Sequence, residues 1–548
     1  MPNVEASKKD LEMLIGKRLS GKELEQAMLF AKGEIDSEEG DCIVIDEKDT
    51  NRPDLLSAEG IAREIRGRLA KEKGVPKYSV RKSNVSVIVD KSVKGIRPCI
   101  AAAIVKNVKI SEEMLVQMIN LQEKVCMTFG KKRKEAAIGI YDWSKLRAPM
   151  HYTSYAPKAK KFIPLEYKVE MDLEEILLEH PKGKEYAHLL KGFSRYPVFE
   201  DSRGTVASMP PIINSQLTGK VAMGTKEVLI EVTGHSQETV NTALNVMVSA
   251  MAERGFDVYS VRVKYPGKAI VTPDFTSRKI SVPLEEIRQV MGMELDAKKI
   301  IGLLRQARYD VKAKGKMLLC EYPAYRQDIL HPVDVIEDAL VSYGFNNIMP
   351  EPVKLACTGS ELEEEKLKRA FEEVCVGLGM QGVLTFTMTS KAKQATMVGL
   401  EEEKEGFVEI ANPASENYAV FRKRLYPELL EFLSKNKHAA YPQKIFEAGK
   451  AVELDKASET GVVEKNRLCI ALCGKGAEFT VIKGALDAIA ANIDFKYSLS
   501  GQTEPAFEKG KAGAISIEGK TGVLGELTKN TLKNFGLEQP TAILEMEI

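Results

Sequence analysis

The chain has 548 residues, which indicates several domains because single hydrophobic cores rarely grow beyond roughly 250 residues. Its 79 Lys and Arg residues offset 78 Asp and Glu residues, and the net charge of +1 excludes a global field that would recruit nucleic acid. The eight cysteines form no CxxC pair and the six histidines lack metal-ligand spacing, which argues against disulfides and zinc. No signal peptide or bilayer-spanning apolar run is visible, so we expect a soluble, cytoplasmic protein that binds no membrane.

The first segment contains short helices broken by glycine, followed by a strand over 41–47. After this strand, DTNRPDLLSAEGIAREIRG predicts a tight turn and a helix whose apolar residues recur at helical spacing over 58–69, with its arginines off that stripe. We expect Asn51 and Asp54 to cap this helix and Arg52 to bridge to a neighbouring domain.

The region over 85–265 mixes alternating strands with a few helices, of which the clearest covers 238–253 and precedes a strand over 258–265. It also contains a basic run, Lys131 to Lys134, directly before the apolar strand AAIGIYDW. Such runs are usually solvated loops, and this interpretation is favoured here. Contact of the run with RNA phosphate remains the alternative.

The next module reads helix, turn, helix and hairpin. An apolar stripe over 284–291 ends at Gly292, Asp296 begins a second helix, and a turn at Lys314-Gly315 leads into a strand over 317–322. Units of this order can bind nucleic acid, but few basic residues mark a recognition face. We therefore favour a packing scaffold.

An acidic string, PAYRQDILHPVDVIEDALVSYG, follows directly. A proline suits the first turn of its helix, and Asp334, Glu337 and Asp338 then fall on one face, with Asp328 just upstream. Four converging carboxylates would repel one another unless a hard cation such as Mg²⁺ intervened. Alternatively, acidic residues at a helix N-terminus are stabilised by the helix dipole and need no metal.

The stretch over 420–454 resembles the core of a class II aminoacyl-tRNA synthetase domain, with a helix after Arg424 and a strand through 445–447. Such domains grip nucleotide phosphates with arginine, whose planar charged fork suits phosphate oxygens. No arginine follows Arg467 in this chain. The sequence therefore argues against triphosphate binding by this domain alone.

Four strings in chain order, TNRPDLLSAEGIAREIRG, AAIGIYD, SMPPIINS with EVTG downstream, and YRQDILHPVDVIEDALVSYGFNNIMP, resemble the beta subunits of archaeal and eukaryotic phenylalanyl-tRNA synthetases. The resemblance implies pairing with an alpha subunit as an alpha2beta2 heterotetramer that binds tRNA-Phe. It places ATP use and aminoacylation on the alpha subunit and no catalytic residue for aminoacylation on this chain. It also makes Asp328, Asp334, Glu337 and Asp338 magnesium positions shared with the alpha subunit.

The resemblance further implies hydrolytic editing of Tyr-tRNA-Phe, because a pocket for a benzyl side chain rejects one added hydroxyl only about 100-fold. The candidate editing residues are Phe199, Ser208, Asn214, Glu231 and Thr233. Asn214 or Glu231 would accept the phenolic proton, and the two hydroxyls would place water or the ester. No Ser/His/Asp arrangement is nearby, so hydrolysis would use water. The alternative is that Asn214 caps a turn while Glu231 and Thr233 point outward from a strand.

We therefore predict a multidomain α+β protein. It comprises an N-terminal α/β domain (1–84), a mixed editing-like domain (85–265), a winged-helix-like module with an acidic metal-binding helix (268–350) and a class II synthetase-like antiparallel sheet domain lacking catalytic motifs (358–548). The predicted function is that of a synthetase beta subunit that supports ligation and edits. The alternative is a noncatalytic tRNA-binding or scaffold protein that retains the fold. In the first case, an apolar stripe over 367–378 would pack against the alpha subunit.

Overall fold

The computed structural model describes residues 3–49, 51–69 and 72–548. They form two compact units, of which the first ends at Glu351 and the second begins at Pro352. Within the described residues, no helix has the length and apolarity needed to cross a membrane.

The N-terminal part of the first unit is a small sheet in the order β1-β3-β2 covered by helices. Its elements are β1 Asn3–Ser7, α1 Lys8–Ile15, α2 Gly21–Phe30, β2 Gly33–Glu39, β3 Cys42–Glu47 and α3 Ala58–Arg68. The cap predicted for α3 was wrong. Ser57 accepts the Gly60 N–H, while the Asp54 carboxylate accepts two hydrogen bonds from Arg52. Thr50, the first residue of the predicted turn, lies outside the described residues.

A part built on a large mixed sheet follows, in which β9 and β10 pair separately as a two-stranded sheet. Its elements are β4 Val80–Arg81, β5 Ser86–Val89, β6 Cys99–Lys106, α4 Glu112–Met127, β7 Ala136–Asp142, β8 Met150–Tyr155, β9 Lys161–Phe162, β10 Met171–Asp172, α5 Leu173–Glu179, α6 Pro181–Tyr186, β11 Tyr196–Glu200, β12 Val206–Met209, β13 Ile213–Asn214, β14 Glu227–Gly234, α7 Gln237–Glu253, β15 Asp257–Tyr265 and β16 Lys268–Thr272. The described strands run in the order β13-β12-β11-β8-β5-β15-β6-β14-β7. Helices α4 and α7 bury their apolar faces against one side. Strand β16 pairs with β15 across Pro266-Gly267, so the sheet continues through that predicted boundary.

The third part of this unit has the predicted order of helices and hairpin. Its elements are β17 Arg278–Pro283, α8 Leu284–Met291, α9 Ala297–Gln306, β18 Asp310–Lys314, β19 Met317–Tyr322 and α10 Pro332–Tyr343. Gly292 ends α8 with a φ of 65°, a conformation that favours glycine, and the Asp296 side chain caps α9. Helix α10 shares a core with α8, α9 and the hairpin.

The second unit is built on a sheet in the order β20-β23-β24-β28-β27-β26-β25, antiparallel except where β20 joins β23. Its elements are α11 Glu363–Gly377, β20 Gln381–Gly382, β21 Met388–Thr389, α12 Lys391–Gln394, α13 Glu402–Glu405, β22 Val420–Phe421, α14 Tyr426–Lys435, β23 Gln443–Leu454, β24 Val462–Cys473, α15 Phe479–Ile493, β25 Ser498–Gly501, β26 Phe507–Ile517, β27 Lys520–Leu527, α16 Lys529–Asn534 and β28 Thr541–Glu547. The stripe predicted to face an alpha subunit was wrong at Phe371. Its ring is buried against this sheet, because α11 covers the chain's own core.

Candidate functional site

A cavity of about 490 Å³ lies beside β7 in the first unit. Strand β7 ends the sheet order among the described strands, so side chains from both of its faces reach this space. Helix α4 closes one side and the segment over 208–221 closes the other. We call this cavity the β7 pocket. Its size is in the range of small-molecule sites.

Polar side chains reach the β7 pocket because successive side chains of β14 point to opposite faces of the sheet. Ile230 and Val232 point into the apolar core under α7, whereas Glu231 and Thr233 point to the other face and line the pocket. Both residues are buried, with 2% and 0% of their surface exposed. The alternative that they point outward into solvent was therefore wrong.

Three side chains form what we call the polar floor of the β7 pocket: Tyr141, Ser208 and Glu231. The Tyr141 hydroxyl lies 2.8 Å from Ser208 Oγ and 2.8 Å from Glu231 Oε2. The other oxygen, Glu231 Oε1, is buried and has no hydrogen-bond partner within the described chain. Buried acceptors without a partner are rare and cost free energy, so this oxygen favours contact with a hydrogen-bond donor.

The surroundings of the Glu231 carboxyl shift its titration to near neutral pH. Burial raises its pKa to about 7, although the hydrogen bond from Tyr141, the charge of Arg97 and the neighbouring Thr233 hydroxyl act in the opposite direction. Arg97 does not bond this carboxyl. Its Nε donates to Thr233 Oγ1 at 2.9 Å, and its Nη2 donates to the Thr233 carbonyl at 2.5 Å. A strongly perturbed carboxyl in a cavity is a candidate functional group.

Four of the five predicted editing residues meet at this pocket: Ser208, Asn214, Glu231 and Thr233. The fifth, Phe199, is buried behind the floor, with its ring centroid 5.9 Å from that of Tyr141. Sequence reasoning missed Tyr141 and Arg97 as site residues. The available signal for Tyr141 was a tyrosine at the end of the apolar run of β7, since a buried phenol needs a hydrogen-bond partner.

The residues of the basic run over 131–134 have two roles: Arg133 makes hydrogen bonds within the chain, and the three lysines are exposed. Arg133 donates to the Ile212 carbonyl at 2.9 Å and to Glu123 at 2.9 Å, so it ties the turn to the pocket wall. Lys131, Lys132 and Lys134 are exposed beside that wall. These lysines are free to contact an anionic ligand such as RNA phosphate.

A second group of charges lies elsewhere in the first unit, and we call it the buried ion cluster. It consists of Arg52, Arg63, Arg68, Arg326, Asp54, Glu64, Asp328 and Asp338. Each carboxylate lies within 4 Å of an arginine, for example Asp338 at 2.8 Å from Arg326. The predicted bridging role of Arg52 is confirmed, since its Nε is 3.9 Å from Asp328 of the third part.

The four carboxylates predicted to bind magnesium have other partners in this chain. Asp328 and Asp338 share Arg326, and Glu337 pairs with Lys32 at 3.0 Å. Asp334 accepts the backbone N–H groups of residues 330 and 331 at the start of its own helix. No group of three or more His, Cys, Asp or Glu among the described residues is arranged to hold a metal ion. The present arrangement therefore does not fit a magnesium ligand set.

The arginines of the second unit are also paired with carboxylates. Arg422 contacts Glu447 at 2.7 Å, and Arg467 contacts Glu453 at 2.6 Å and Glu545 at 3.2 Å. Arg467 lines a cavity of about 560 Å³ in this unit. Because their charges are offset locally, neither arginine presents a free fork to a phosphate group.

Comparison with known proteins gives a consistent set of similarities. The family described as phenylalanyl tRNA synthetase beta chain CLM domain matches residues 338–548, and the tRNA synthetase B5 domain matches residues 280–345. The chain is 46% identical to the phenylalanine–tRNA ligase beta subunit of Pyrococcus horikoshii, over 100% of this chain and 99% of that protein. The corresponding subunit of Thermococcus kodakarensis is 45% identical, with 100% and 98% covered.

A solved structure supports the same grouping. The crystal structure of an N-terminal fragment of the Pyrococcus horikoshii phenylalanyl-tRNA synthetase beta subunit is 50% identical in sequence, with a TM-score of 0.61. The similarity covers 63% of this chain and 100% of the fragment.

Proposed function

Because this chain belongs to the family of phenylalanine–tRNA ligase beta subunits, we propose that it works with an alpha subunit in the cytoplasm to join phenylalanine to tRNA-Phe at the expense of ATP. The alpha subunit carries the aminoacylation site in this proposal. The pairing of all four arginines of the second unit with carboxylates supports it, since none of them is then a free fork for ATP: Arg369, Arg422, Arg424 and Arg467.

We further propose that the β7 pocket removes tyrosine from mischarged tRNA-Phe. The observation that carries this proposal is the buried Oε1 of Glu231, which has no partner among the described residues. A tyrosyl phenol would donate to that oxygen, whereas a phenylalanyl ring would leave it unpaired. Sites that require a ligand hydroxyl can discriminate by 10⁴-fold or more, far beyond what a benzyl pocket achieves against an added hydroxyl.

The hydrolytic step itself needs one water molecule. Water adds to the ester carbonyl carbon, the bond to the tRNA ribose oxygen breaks, and the products are tyrosine and uncharged tRNA. Ser208, Asn214 and Thr233 line the pocket and supply polar groups that can orient the ester and the water. The exposed lysines 131, 132 and 134 flank the same wall and suit the tRNA backbone.

An exposed apolar patch on the second unit supports an alpha partner. Leu384, Phe386, Met388 and Tyr418 are 88%, 71%, 42% and 42% exposed, and the rings of Phe386 and Tyr418 lie 6.0 Å apart. Contiguous exposed apolar surface marks interaction sites. We propose that the alpha subunit covers this patch in an alpha2beta2 assembly.

Magnesium at Asp328, Asp334, Glu337 and Asp338 stays a prediction from the resemblance. Binding there would require Asp328 and Asp338 to exchange Arg326 for the ion. We assign no step of either reaction to these residues.

The test is deacylation of Tyr-tRNA-Phe and Phe-tRNA-Phe by the complex with the alpha subunit. We expect tyrosine to be released in preference to phenylalanine, and Glu231→Gln to reduce that preference at least tenfold because the acceptor charge is lost. Glu227→Gln is the matched control, since Glu227 lies on the same strand but pairs with Lys106 at the surface. Absence of tyrosine release by the folded complex would overturn the editing proposal.

A further inference from the structure

Tyr141 lies in the polar floor between Ser208 and Glu231, although it was not among the predicted editing residues. We propose that Tyr141 is a positioning residue for tyrosine selectivity, which holds Glu231 with Oε1 available to the ligand and couples the protonation of Glu231 to Ser208. The inference rests on the proposed editing function and assigns a specificity role to a residue that does not itself react. The ligand class is an amino acid ester that carries a phenol.

The strand register builds this contact. Gly139 lies opposite Glu231 in the pairing of β7 with β14, and Tyr141 follows two residues later on the same face. A Cβ atom at position 139 would lie 2.0 Å from the Tyr141 hydroxyl and 2.6 Å from Glu231 Oε2. The bond between Tyr141 and Glu231 therefore exists because residue 139 has no side chain.

The proton count of the floor gives two hydrogen-bond arrangements. A phenol has one proton, so the Tyr141 hydroxyl donates to one neighbour and accepts from the other. When Glu231 is ionised, the Tyr141 hydroxyl donates a hydrogen bond to Oε2 and accepts one from the Ser208 hydroxyl. When Oε2 is protonated, Glu231 donates to Tyr141 and Tyr141 donates to Ser208. The direction of the Ser208 hydroxyl thus follows the protonation of Glu231.

The ionised arrangement is the one that selects a phenol. Tyr141 satisfies Oε2 and leaves Oε1, which has no other hydrogen-bond partner in the described structure, as the acceptor for the incoming hydroxyl. The titratable and charged groups facing Glu231 are Tyr141, Arg97 and Tyr152. Arg97 bonds Thr233, and Tyr152 donates to the Arg97 carbonyl at 2.8 Å. The Thr233 hydroxyl also lowers the pKa of Glu231, but it accepts a bond from Arg97, whereas the Tyr141 hydroxyl lies 2.8 Å from Glu231 Oε2. Tyr141 is therefore the titratable group in direct hydrogen-bond contact with Glu231.

The experiment compares Tyr141→Phe with the wild-type complex in tyrosine and phenylalanine release between pH 5.5 and 8.5. Tyr155→Phe is the matched control, because Tyr155 donates to Glu200 at 2.6 Å outside the β7 pocket. We expect Tyr141→Phe to lower the ratio of tyrosine to phenylalanine release about tenfold, mainly through KM. We also expect the acid limb of the pH profile to move to higher pH, since loss of the phenol removes a bond that favours ionised Glu231.

The outcomes separate the two proposals. An unchanged ratio and pH profile in folded Tyr141→Phe would overturn the role of Tyr141 and leave editing intact. If the wild-type complex released no tyrosine, editing would fail, and calorimetric binding of tyrosinamide and phenylalaninamide would still test Tyr141. Preference for tyrosinamide that is lost in Tyr141→Phe would support the role. Equal binding of the two probes by the wild type, or binding of neither, would overturn it.

Discussion

The first unit buries carboxylates in two places and treats them in opposite ways. In the buried ion cluster, each carboxylate lies beside an arginine, as Asp54 does beside Arg52 and Arg63. In the β7 pocket, Glu231 has a phenol for one oxygen and no partner within the described chain for the other. The cluster is internally satisfied and serves to join parts of the unit, whereas the pocket floor leaves one buried carboxylate oxygen open to a donor.

The two environments separate the carboxyl groups by several pKa units. Burial raises the pKa of Asp54, but the charges of Arg52 and Arg63 outweigh burial and lower it to about 2. Burial dominates at Glu231 and raises its pKa to about 7. Buried charge alone is therefore not a sign of function. The informative feature is buried charge without a countercharge in hydrogen-bond contact.

The largest expected effect is loss of stability when the ion cluster loses one charge. Arg326→Leu would leave Asp328 and Asp338 without their shared partner, and we expect the free energy of unfolding to fall by about 3–5 kcal/mol. Denaturant unfolding of the full chain, with hydrogen exchange in α10 to locate the effect, would measure this. Lys17→Ala, which removes an exposed ion pair, should change stability by less than about 1 kcal/mol. A similarly small change for Arg326→Leu would show that the cluster is not required.

The next largest effect is a gain of stability, expected when the charge of the pocket floor is removed. Glu231→Gln should stabilise the chain by up to about 3 kcal/mol at pH 8 and by nothing near pH 4, because each pKa unit corresponds to about 1.4 kcal/mol. Below pH 4.5 both folded and unfolded wild type hold the proton. Between pH 4.5 and about 7, the Glu231 carboxyl ionises in the unfolded chain but keeps its proton in the folded chain. Wild-type stability therefore falls as pH rises through this range, and the loss is complete above about pH 7.

Unfolding midpoints of wild type and Glu231→Gln across this range would measure the difference. Glu227→Gln serves as control, since that half-buried carboxyl on the same strand pairs with Lys106 at 3.1 Å. A stability difference between wild type and Glu231→Gln that stays constant from pH 4 to pH 8 would contradict the raised pKa of Glu231.

The smallest effect concerns tRNA binding beside the pocket. Replacing Lys131 and Lys132 by Ala should lower the slope of log affinity against log salt by about 0.7–0.9 for each lost phosphate contact. Lys298→Ala, on an exposed position of α9, should leave the slope unchanged if the third part is a scaffold. An effect confined to Lys298→Ala would move the RNA contact from the pocket wall to that part.

Local rules predicted local elements well. The helix that begins at Pro332, the helix and hairpin order over 284–322 and the helix at 238–253 follow from periodicity, caps and glycine stops, which act within a few residues. The prediction that Asp54 caps α3 failed because the Asp54 carboxylate accepts hydrogen bonds from Arg52, and Ser57, which lies closer to the helix start, accepts the Gly60 N–H instead. The prediction that the stripe over 367–378 packs against an alpha subunit failed at Phe371, because periodicity identifies an apolar face without saying what covers it.

The residues of the candidate site were harder to predict from the sequence than the helices and strands. Ser208, Asn214, Glu231 and Thr233 were proposed through resemblance, because spacing alone left them as loop and strand residues. Tyr141 and Arg97 were missed because their partners lie 67 and 136 residues away along the chain. Contacts of this separation depend on the order of strands in the sheet, which side-chain alternation within one strand does not reveal.

The most direct measurement is the ratio of tyrosine to phenylalanine release by a Gly139→Ala complex. The added methyl group would collide with the Tyr141 hydroxyl and Glu231 Oε2 without removing any polar group. Gly95→Ala is the matched control, because no atom lies within 4 Å of a Cβ at that position. We predict that the ratio falls at least tenfold in Gly139→Ala and is unchanged in Gly95→Ala. Equal ratios in wild type and both variants would contradict a selective role for the polar floor of the β7 pocket.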